Sequence, residues 1–255
     1  MIHRFKKQGG RNQVLRSYAQ SGEDILAHRV LCEHLRIDRP TYVDIGAHDP
    51  VHLSNTYLLY TLGSKGLLIE PDPDCVKTLR RKRRRDTVLA AGISPDAYGE
   101  APFYRLNQPT LNTFSWQDAQ DACTQGPYRI IEELRVPVVP IADAIDAKHV
   151  GRPNFLSIDA EGLDVAILSS YDFERHAPEL ICVESAEFCE DNLGPLRDEI
   201  FNLLEERGYF LYASTYLNGL FVQRKAWRDR VGQPPAWTLC PTQTQAITRT
   251  RTHAA

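Results

Sequence analysis

Carboxylates recur in this sequence where short apolar segments end. Asp44 lies in Thr41-Tyr-Val-Asp-Ile45, which runs into Gly46 and Ala47. Glu70 closes Gly66-Leu-Leu-Ile-Glu70, 24 residues beyond Gly46. Asp159 follows Asn154-Phe-Leu-Ser-Ile158, and Glu184 follows Glu179-Leu-Ile-Cys-Val183. Glycine after the first segment lets a ligand approach the backbone, because no Cβ intervenes. The pattern lacks the G-x-G-x-x-G spacing of a dinucleotide phosphate loop, which disfavours a nicotinamide oxidoreductase. An acid closing the second segment can accept both hydroxyls of an adenosine ribose. Asp44 and Glu70 together therefore describe an adenosine with a cationic tail, which is S-adenosylmethionine. Each alone has an ordinary account, a tight turn for Asp44 and a solvated strand end for Glu70.

The remaining groups address the partner of such a cofactor. Asp159 is the first candidate for a general base and borders the cofactor position; its alternative is a helix N-cap. Glu161 is a second site carboxylate or a first-turn acid. Asp159, Glu161 and Glu184 could together offer oxygen ligands to Mg²⁺ or Mn²⁺, although no spacing rule identifies such a site. His48 is a base or a pocket wall, and His52 is read as a surface residue. In Leu111-Asn-Thr-Phe-Ser-Trp116, Asn112 and Thr113 could bond a polyhydroxylated acceptor and Trp116 could stack on a sugar; Phe114 and Trp116 could equally anchor the loop. Asn55 and Glu184 complete the substrate-side candidates.

The elements positioning these groups alternate. A helix face is spaced over Ile25, Leu26, Val30, Leu31 and Leu35, with Ser21 as a plausible cap. Strands are predicted over 41–45, 66–70, 87–91, 154–158 and 179–183. Helices are predicted over 53–62, 74–85, from about 163, and over 196–207, with Gly63 and Gly208 as terminators. Segments 101–106 and 136–141 read as strands around an irregular insert, and 209–213 with 217–222 as a closing antiparallel pair. Alternating strands and helices predict a doubly wound, mostly parallel α/β sheet with an antiparallel edge strand. In such sheets ligands bind beyond the carboxyl ends of the strands, where these acids converge.

Composition is that of a globular chain: 255 residues, 42% hydrophobic and 25% charged, with a net charge of −3. This disfavours a wholesale polyanion binder, and no apolar run approaches the roughly 20 residues that span a bilayer. The basic start (residues 1–16) shows no signal-peptide pattern and is expected to be flexible, as is the tail over 234–255. One domain is expected over 17–233. Six cysteines without a C-x-x-C pair read as reduced thiols of a cytoplasmic protein. Lys77–Arg85 holds seven basic residues and is read as a solvated helix face. Its rival readings are an anionic acceptor, such as a phosphorylated or nucleotide-linked glycan, and RNA; the RNA reading is disfavoured because interleaved aromatics are missing.

The ordered segments Ser17-Tyr-Ala-Gln-Ser-Gly-Glu-Asp24, Tyr42-Val-Asp-Ile-Gly-Ala-His48, Ser54-Asn-Thr-Tyr57, Leu68-Ile-Glu-Pro71, Ala91-Gly-Ile-Ser94, Leu111-Asn-Thr-Phe114, Phe155-Leu-Ser-Ile-Asp-Ala-Glu-Gly162 and Ile181-Cys-Val-Glu184 resemble the FkbM-type S-adenosylmethionine-dependent methyltransferases. The resemblance spans roughly Arg16 to Gln223. It implies a seven-stranded Rossmann-like domain and methyl transfer, usually to a hydroxyl of a carbohydrate or glycosylated metabolite. It places Asp44, Gly46 and Ala47 at the methionine part of the cofactor, Glu70 with Pro71 and Asp72 at the ribose, and Gly92 and Ile93 at the adenine. It also implies that Gln20 and Glu23 close over the amino-acid end, though Glu23 has an alternative as a helix-start acid. A non-catalytic binding protein on the same fold is the remaining alternative.

Overall fold

The structure is a computed structural model that describes residues 15–95, 97–148, 151–160, 162–186, 195–215 and 217–233. In chain order its strands are β1 (Tyr42–Ile45), β2 (Gly66–Glu70), β3 (Thr87–Ala90), β4 (Gly92–Ser94), β5 (Gly99–Leu106), β6 (Ile130–Pro140), β7 (Phe155–Ile158), β8 (Leu180–Glu184), β9 (Tyr209–Thr215) and β10 (Asn218–Gln223). The helices are α1 (Glu23–His28), continued by a π-helical turn Arg29–His34, α2 (Tyr57–Thr61), α3 (Pro73–Lys82), α4 (Trp116–Gln125), α5 (Ile141–Ala147), α6 (Asp164–Ser170), α7 (Phe173–His176), α8 (Asp198–Glu206) and α9 (Arg224–Arg230).

The main sheet has seven strands in the order β3-β2-β1-β7-β8-β10-β9. Pairings from β3 through to β8 are parallel. β10 runs antiparallel to both β8 and β9 and supplies the antiparallel element expected at this edge. Alternate side chains face opposite ways, as the pleat requires. Val43, Ile45, Leu67, Ile69, Leu156, Ile158, Ile181 and Val183 meet α5, α6 and α8 on one face. Tyr42, Leu68, Phe155, Leu180 and Cys182 meet α1, α2, α3 and α9 on the other. Burial on both faces explains why these strands read as continuous apolar runs rather than alternating ones.

Several element bounds differ from the sequence reading. The first helix starts at Glu23, with Gly22 at φ 92° in the cap position; Ser21 does not cap it. The helix expected over 53–62 shrinks to α2, because Leu53 adopts φ 59° and the following residues join a buried polar network. Gly63, at φ 99°, follows its end as expected. α3 begins under a cap by Asp72, whose carboxylate accepts from the backbone of Asp74 and Cys75, and it stops at Lys82. The strands expected over 101–106 and 136–141 are present within β5 and β6, which join β4 in a second sheet, β4-β6-β5; the segment between them, expected to be irregular, carries α4 and the first half of β6.

Among the described residues, no helix is long and apolar enough to cross a membrane. Cys32, Cys75, Cys123 and Cys182 are free thiols. Cys189, Cys240, residues 1–14 of the expected basic start and the expected tail over 234–255 lie outside the described residues.

Candidate active site

Strand register assembles the site. Glu70 pairs with Ala90, Ile45 with Ile69 and Ile158, Ile158 with Val183, and Glu184 with Asn218. One step past these pairs, Gly46 lies between Glu70 and Asp159, and Asp159 lies between Gly46 and Glu184. The backbone N–H of Gly46 donates to Ile69 (3.0 Å) and that of Asp159 to Ile45 (3.0 Å). The carboxyl ends of five strands thus open on one cavity of about 1320 Å³. That exceeds the ~300–1,000 Å³ of a typical single-ligand pocket.

Gly46 is required for a reason beyond ligand access. Its φ is +78°, and a Cβ there would stand 1.9 Å from the Asp159 carbonyl oxygen. Glycine therefore lets β1 and β7 stay adjacent as the chain turns. Gly92 is similar: a Cβ would meet the Phe114 ring at 2.3 Å. The ring tucks over Gly92 and packs on Phe103, with centroids 5.0 Å apart. Phe114 thus brings the second sheet's loop onto the cofactor side of the cavity.

Glu70 is 5% exposed. Its two oxygens accept the backbone N–H groups of His48 and Asp72, each at 2.8 Å. Each oxygen keeps a lone pair for a ribose hydroxyl. Burial pushes its pKa up to about 7, against the pull of those two bonds. His48 sits at φ 41°, a left-handed conformation uncommon outside glycine, and so aims its N–H at Glu70. Its imidazole lines the cavity, and burial lowers its pKa, keeping the ring neutral.

Asp44 is buried and receives the Thr56 hydroxyl at 2.6 Å. Burial raises its pKa, opposed by Thr56, Arg83 and Ser157. Asn55 donates its amide to Ser157 at 3.2 Å, and both line the cavity.

Asp159 lies open to the cavity but has protein packed around it. That low-dielectric surrounding, with the negative charges of Asp164, Glu184, Asp44 and Glu70, pushes its pKa up to about 7. It does not cap a helix: α6 begins at Asp164 after Leu163. Glu184 also faces the cavity and pairs with Arg197 at 3.0 Å; the same guanidinium reaches Asp164 at 3.4 Å.

Of the other sequence candidates, Gln20, Ala47, Pro71, Asp72, Ile93, Asn112 and Thr113 line the cavity. Asn112 is committed to the scaffold: it accepts the Leu106 N–H at 2.8 Å and donates to Asp72 at 3.2 Å. Glu23 does not reach the lining; it is fully buried and bonds Thr215 and Asn218. Trp116 also stands outside the lining, 50% exposed against Tyr104. His52 is exposed, though it borders the cavity. Glu161 lies outside the described residues. Among the described residues, no group of three or more His, Cys, Asp or Glu is arranged to hold a metal ion.

The sequence reading missed Ser157, Arg105 and Arg197. Ser157 is the lone polar side chain in β7 and was legible as such. Arg105 bonds Asp72, Asp74 and Glu132, and nothing local marks it.

A doubly wound sheet with acids toward the ends of β1 and β2 over a shared cavity defines a Rossmann-like domain. The model of the methyltransferase FkbM domain matches residues 44–211, more than half of the chain. The chain belongs to the FkbM methyltransferase family, and that membership implies S-adenosylmethionine as cofactor. No curated protein matches. Among solved structures, an FkbM methyltransferase from Methylobacillus flagellatus KT is similar at 19% identity and TM-score 0.41, over 72% of this chain and 44% of that one. The present chain thus spans less than half of that protein. A putative RNA methyltransferase from Pyrococcus horikoshii matches at 11% identity and TM-score 0.42, over 82% and 87% of the two chains. The 1,6-didemethyltoxoflavin-N1-methyltransferase of Burkholderia thailandensis, solved with S-adenosylhomocysteine, matches at 11% and 0.38, over 79% and 77%.

The cavity suits the implied cofactor. Asp44, Glu70 and Asp159 place three carboxyl groups on the wall, whose charged forms a cationic ligand would favour, and Glu70 offers the paired acceptors that a ribose needs.

Proposed function

We propose that the chain is an O-methyltransferase that methylates a hydroxyl of a carbohydrate or glycosylated metabolite, with Asp159 as general base. The observation that carries this reading is Asp159 itself. It is the carboxylate between the cofactor-side acids and Glu184, with a pKa raised to about 7. A base matched to neutral pH is most effective there, and general-base catalysis typically supplies about 10²–10⁴-fold. When bound, S-adenosylmethionine supplies an electrophilic methyl carried on a sulfonium sulfur. Asp159 accepts the proton that the acceptor hydroxyl loses as its oxygen takes the methyl. Asp44 and Glu70 would hold the cofactor's amino-acid and ribose parts and so orient it toward the acceptor.

The carbohydrate class follows from the family resemblance. It is supported by the polar side chains Asn55, Glu184 and Asn218 on the cavity wall. The RNA alternative rests on the basic run Lys77–Arg85, of which Arg83 is buried and turned inward as part of the scaffold. That run begins midway along α3, at Lys77, and continues past its end.

Two measurements test the reading. Calorimetric titration should give saturable binding of S-adenosylhomocysteine and none of NAD⁺. Asp159→Asn should keep that binding and lower kcat on a responsive glycan acceptor by about 10²–10⁴-fold; unchanged turnover removes Asp159 from catalysis. The sign of the pH dependence follows. Asp159 acts deprotonated, so wild-type kcat/KM climbs as pH rises through about 7. Glu70 titrates in the same range, so S-adenosylhomocysteine affinity falls as pH drops below about 7. Asp159→Asn should keep the binding limb and lose the turnover limb.

A further inference from the structure

Of the seven basic residues in Lys77–Arg85, Arg83 alone is buried, at 1% exposure. It lies just past α3 and reaches into the protein. Its Nε donates to Asp86 at 2.7 Å. Nη1 donates to the Pro50 carbonyl at 3.1 Å and the Ser54 hydroxyl at 3.4 Å. Nη2 donates to the Tyr42 and Thr56 hydroxyls, each at 3.0 Å. The rings of Tyr57 and Tyr60 flank the guanidinium, with centroids 5.5 and 4.7 Å away.

The polarity of this network is fixed. A guanidinium only donates, so the Thr56 oxygen accepts from Arg83 and its single proton goes to Asp44, 2.6 Å away. Asp86 balances the charge of Arg83, yet three further bonds run to the Pro50–Thr56 segment that walls the cavity.

We propose that Arg83, acting through Thr56, is a positioning residue for the cofactor's amino-acid end. It holds Asp44 as an oriented carboxylate for the α-ammonium and pins the Pro50–Thr56 wall around it. This rests on the S-adenosylmethionine reading. The groups facing Asp44 from the neighbouring elements are Arg83, Asp86, Glu70 and Asp159, with the hydroxyls of Thr56 and Ser157. Arg83 is the one cation among them. The Thr56 bond and the Arg83 charge oppose the burial that raises the Asp44 pKa, so their loss shifts Asp44 further toward the neutral acid and weakens its attraction for an ammonium.

The test compares two ligands that share an adenosine thioether and differ in the amino-acid group: S-adenosylhomocysteine and 5′-methylthioadenosine. Thr56→Val cuts the relay and leaves Arg83 in place; Thr56→Ser restores the hydroxyl. Thr56→Val should weaken S-adenosylhomocysteine by about tenfold, the scale of one hydrogen bond to a charged group. Methylthioadenosine affinity should stay unchanged, and Thr56→Ser should recover the loss. Arg83→Lys, which cannot span the same partners, should show the same ligand split. Thermal melting confirms that each variant is folded, and either variant decides the question if the other does not fold. Equal losses for both ligands, or no loss for either, overturn the proposal. Failure of the wild-type protein to bind S-adenosylhomocysteine overturns the cofactor reading itself.

Discussion

The two sides of the cavity are built on different principles. The cofactor side is main-sheet rim, where Glu70, Gly46 and Asp159 follow buried parallel strands and are locked by backbone hydrogen bonds at 2.8–3.0 Å. The opposite side is the second sheet with α4, largely solvent-facing. Apart from Ile93 of β4, which joins the main core, it is tied on by an aromatic ring over Gly92, by the Asn112–Asp72 hydrogen bond and by one arginine shared among three acids. A cofactor that never changes can be served by backbone geometry. An acceptor site benefits from a scaffold whose surface can vary without disturbing the core.

The sharpest way to break this comparison is Gly46→Ala. The added Cβ needs a left-handed backbone and displaces the Asp159 carbonyl, 1.9 Å away. Overpacking and backbone strain together should cost on the order of 3 kcal/mol. Thermal or urea unfolding should record that loss, together with lost S-adenosylhomocysteine binding. A fully stable, ligand-binding Gly46→Ala protein would show that the β1–β7 junction yields and that the cofactor side is not the rigid half.

Phe114→Ala should have a smaller effect. The ring is only half-buried, so its removal should cost about 1–2 kcal/mol, below the ~3–5 kcal/mol of a fully buried phenylalanine. The vacated space over Gly92 opens between the two sheets. Limited proteolysis should then cut the segment from Asn107 to Gln125 faster than any part of the main sheet. Equal protection of both regions would mean that Phe114 does not tie the second sheet down.

The same contrast governs what the sequence disclosed. The strands carrying Asp44, Glu70 and Asp159 were legible because burial on both faces leaves an apolar run that stops at a turn. The second sheet was legible only in part: segments 101–106 and 136–141 read as strands, but the first half of β6 and the pairing did not. β6 reads Ile-Ile-Glu-Glu-Leu-Arg-Val-Pro-Val-Val-Pro, with Glu132, Glu133 and Arg135 facing solvent and Pro137 interrupting the pattern. Its pairing with β5 spans a gap that no local signal bridges. Gly92 has its partner 22 residues away in Phe114, so its reason is tertiary. Trp116 reads as a sugar platform by residue type, but α4 turns it onto Tyr104 instead. Arg83 was the hardest to see. A basic run looks solvated by composition, and only the position just past α3 carries this one side chain inward.

Arg105→Ala should give the smallest effect and sharpens the comparison most finely. Its partners Asp74 and Glu132 are exposed, with side chains at 76% and 47%, and such pairs contribute at most about 1 kcal/mol. Its third partner, Asp72, is buried at the start of α3 and is also held by Asn112, so it keeps a donor when the arginine is lost. Global stability should therefore fall by about 1 kcal/mol or less, and the loss should shrink as added salt screens the exposed pairs. Asp72 also donates its N–H to Glu70, but that bond belongs to the backbone and survives the substitution. S-adenosylhomocysteine affinity should thus hold steady while the KM of the acceptor rises, because only the second sheet has lost a tether. A larger loss in cofactor affinity than in acceptor KM would mean that Arg105 supports the ribose end, and that the two sides are mechanically one.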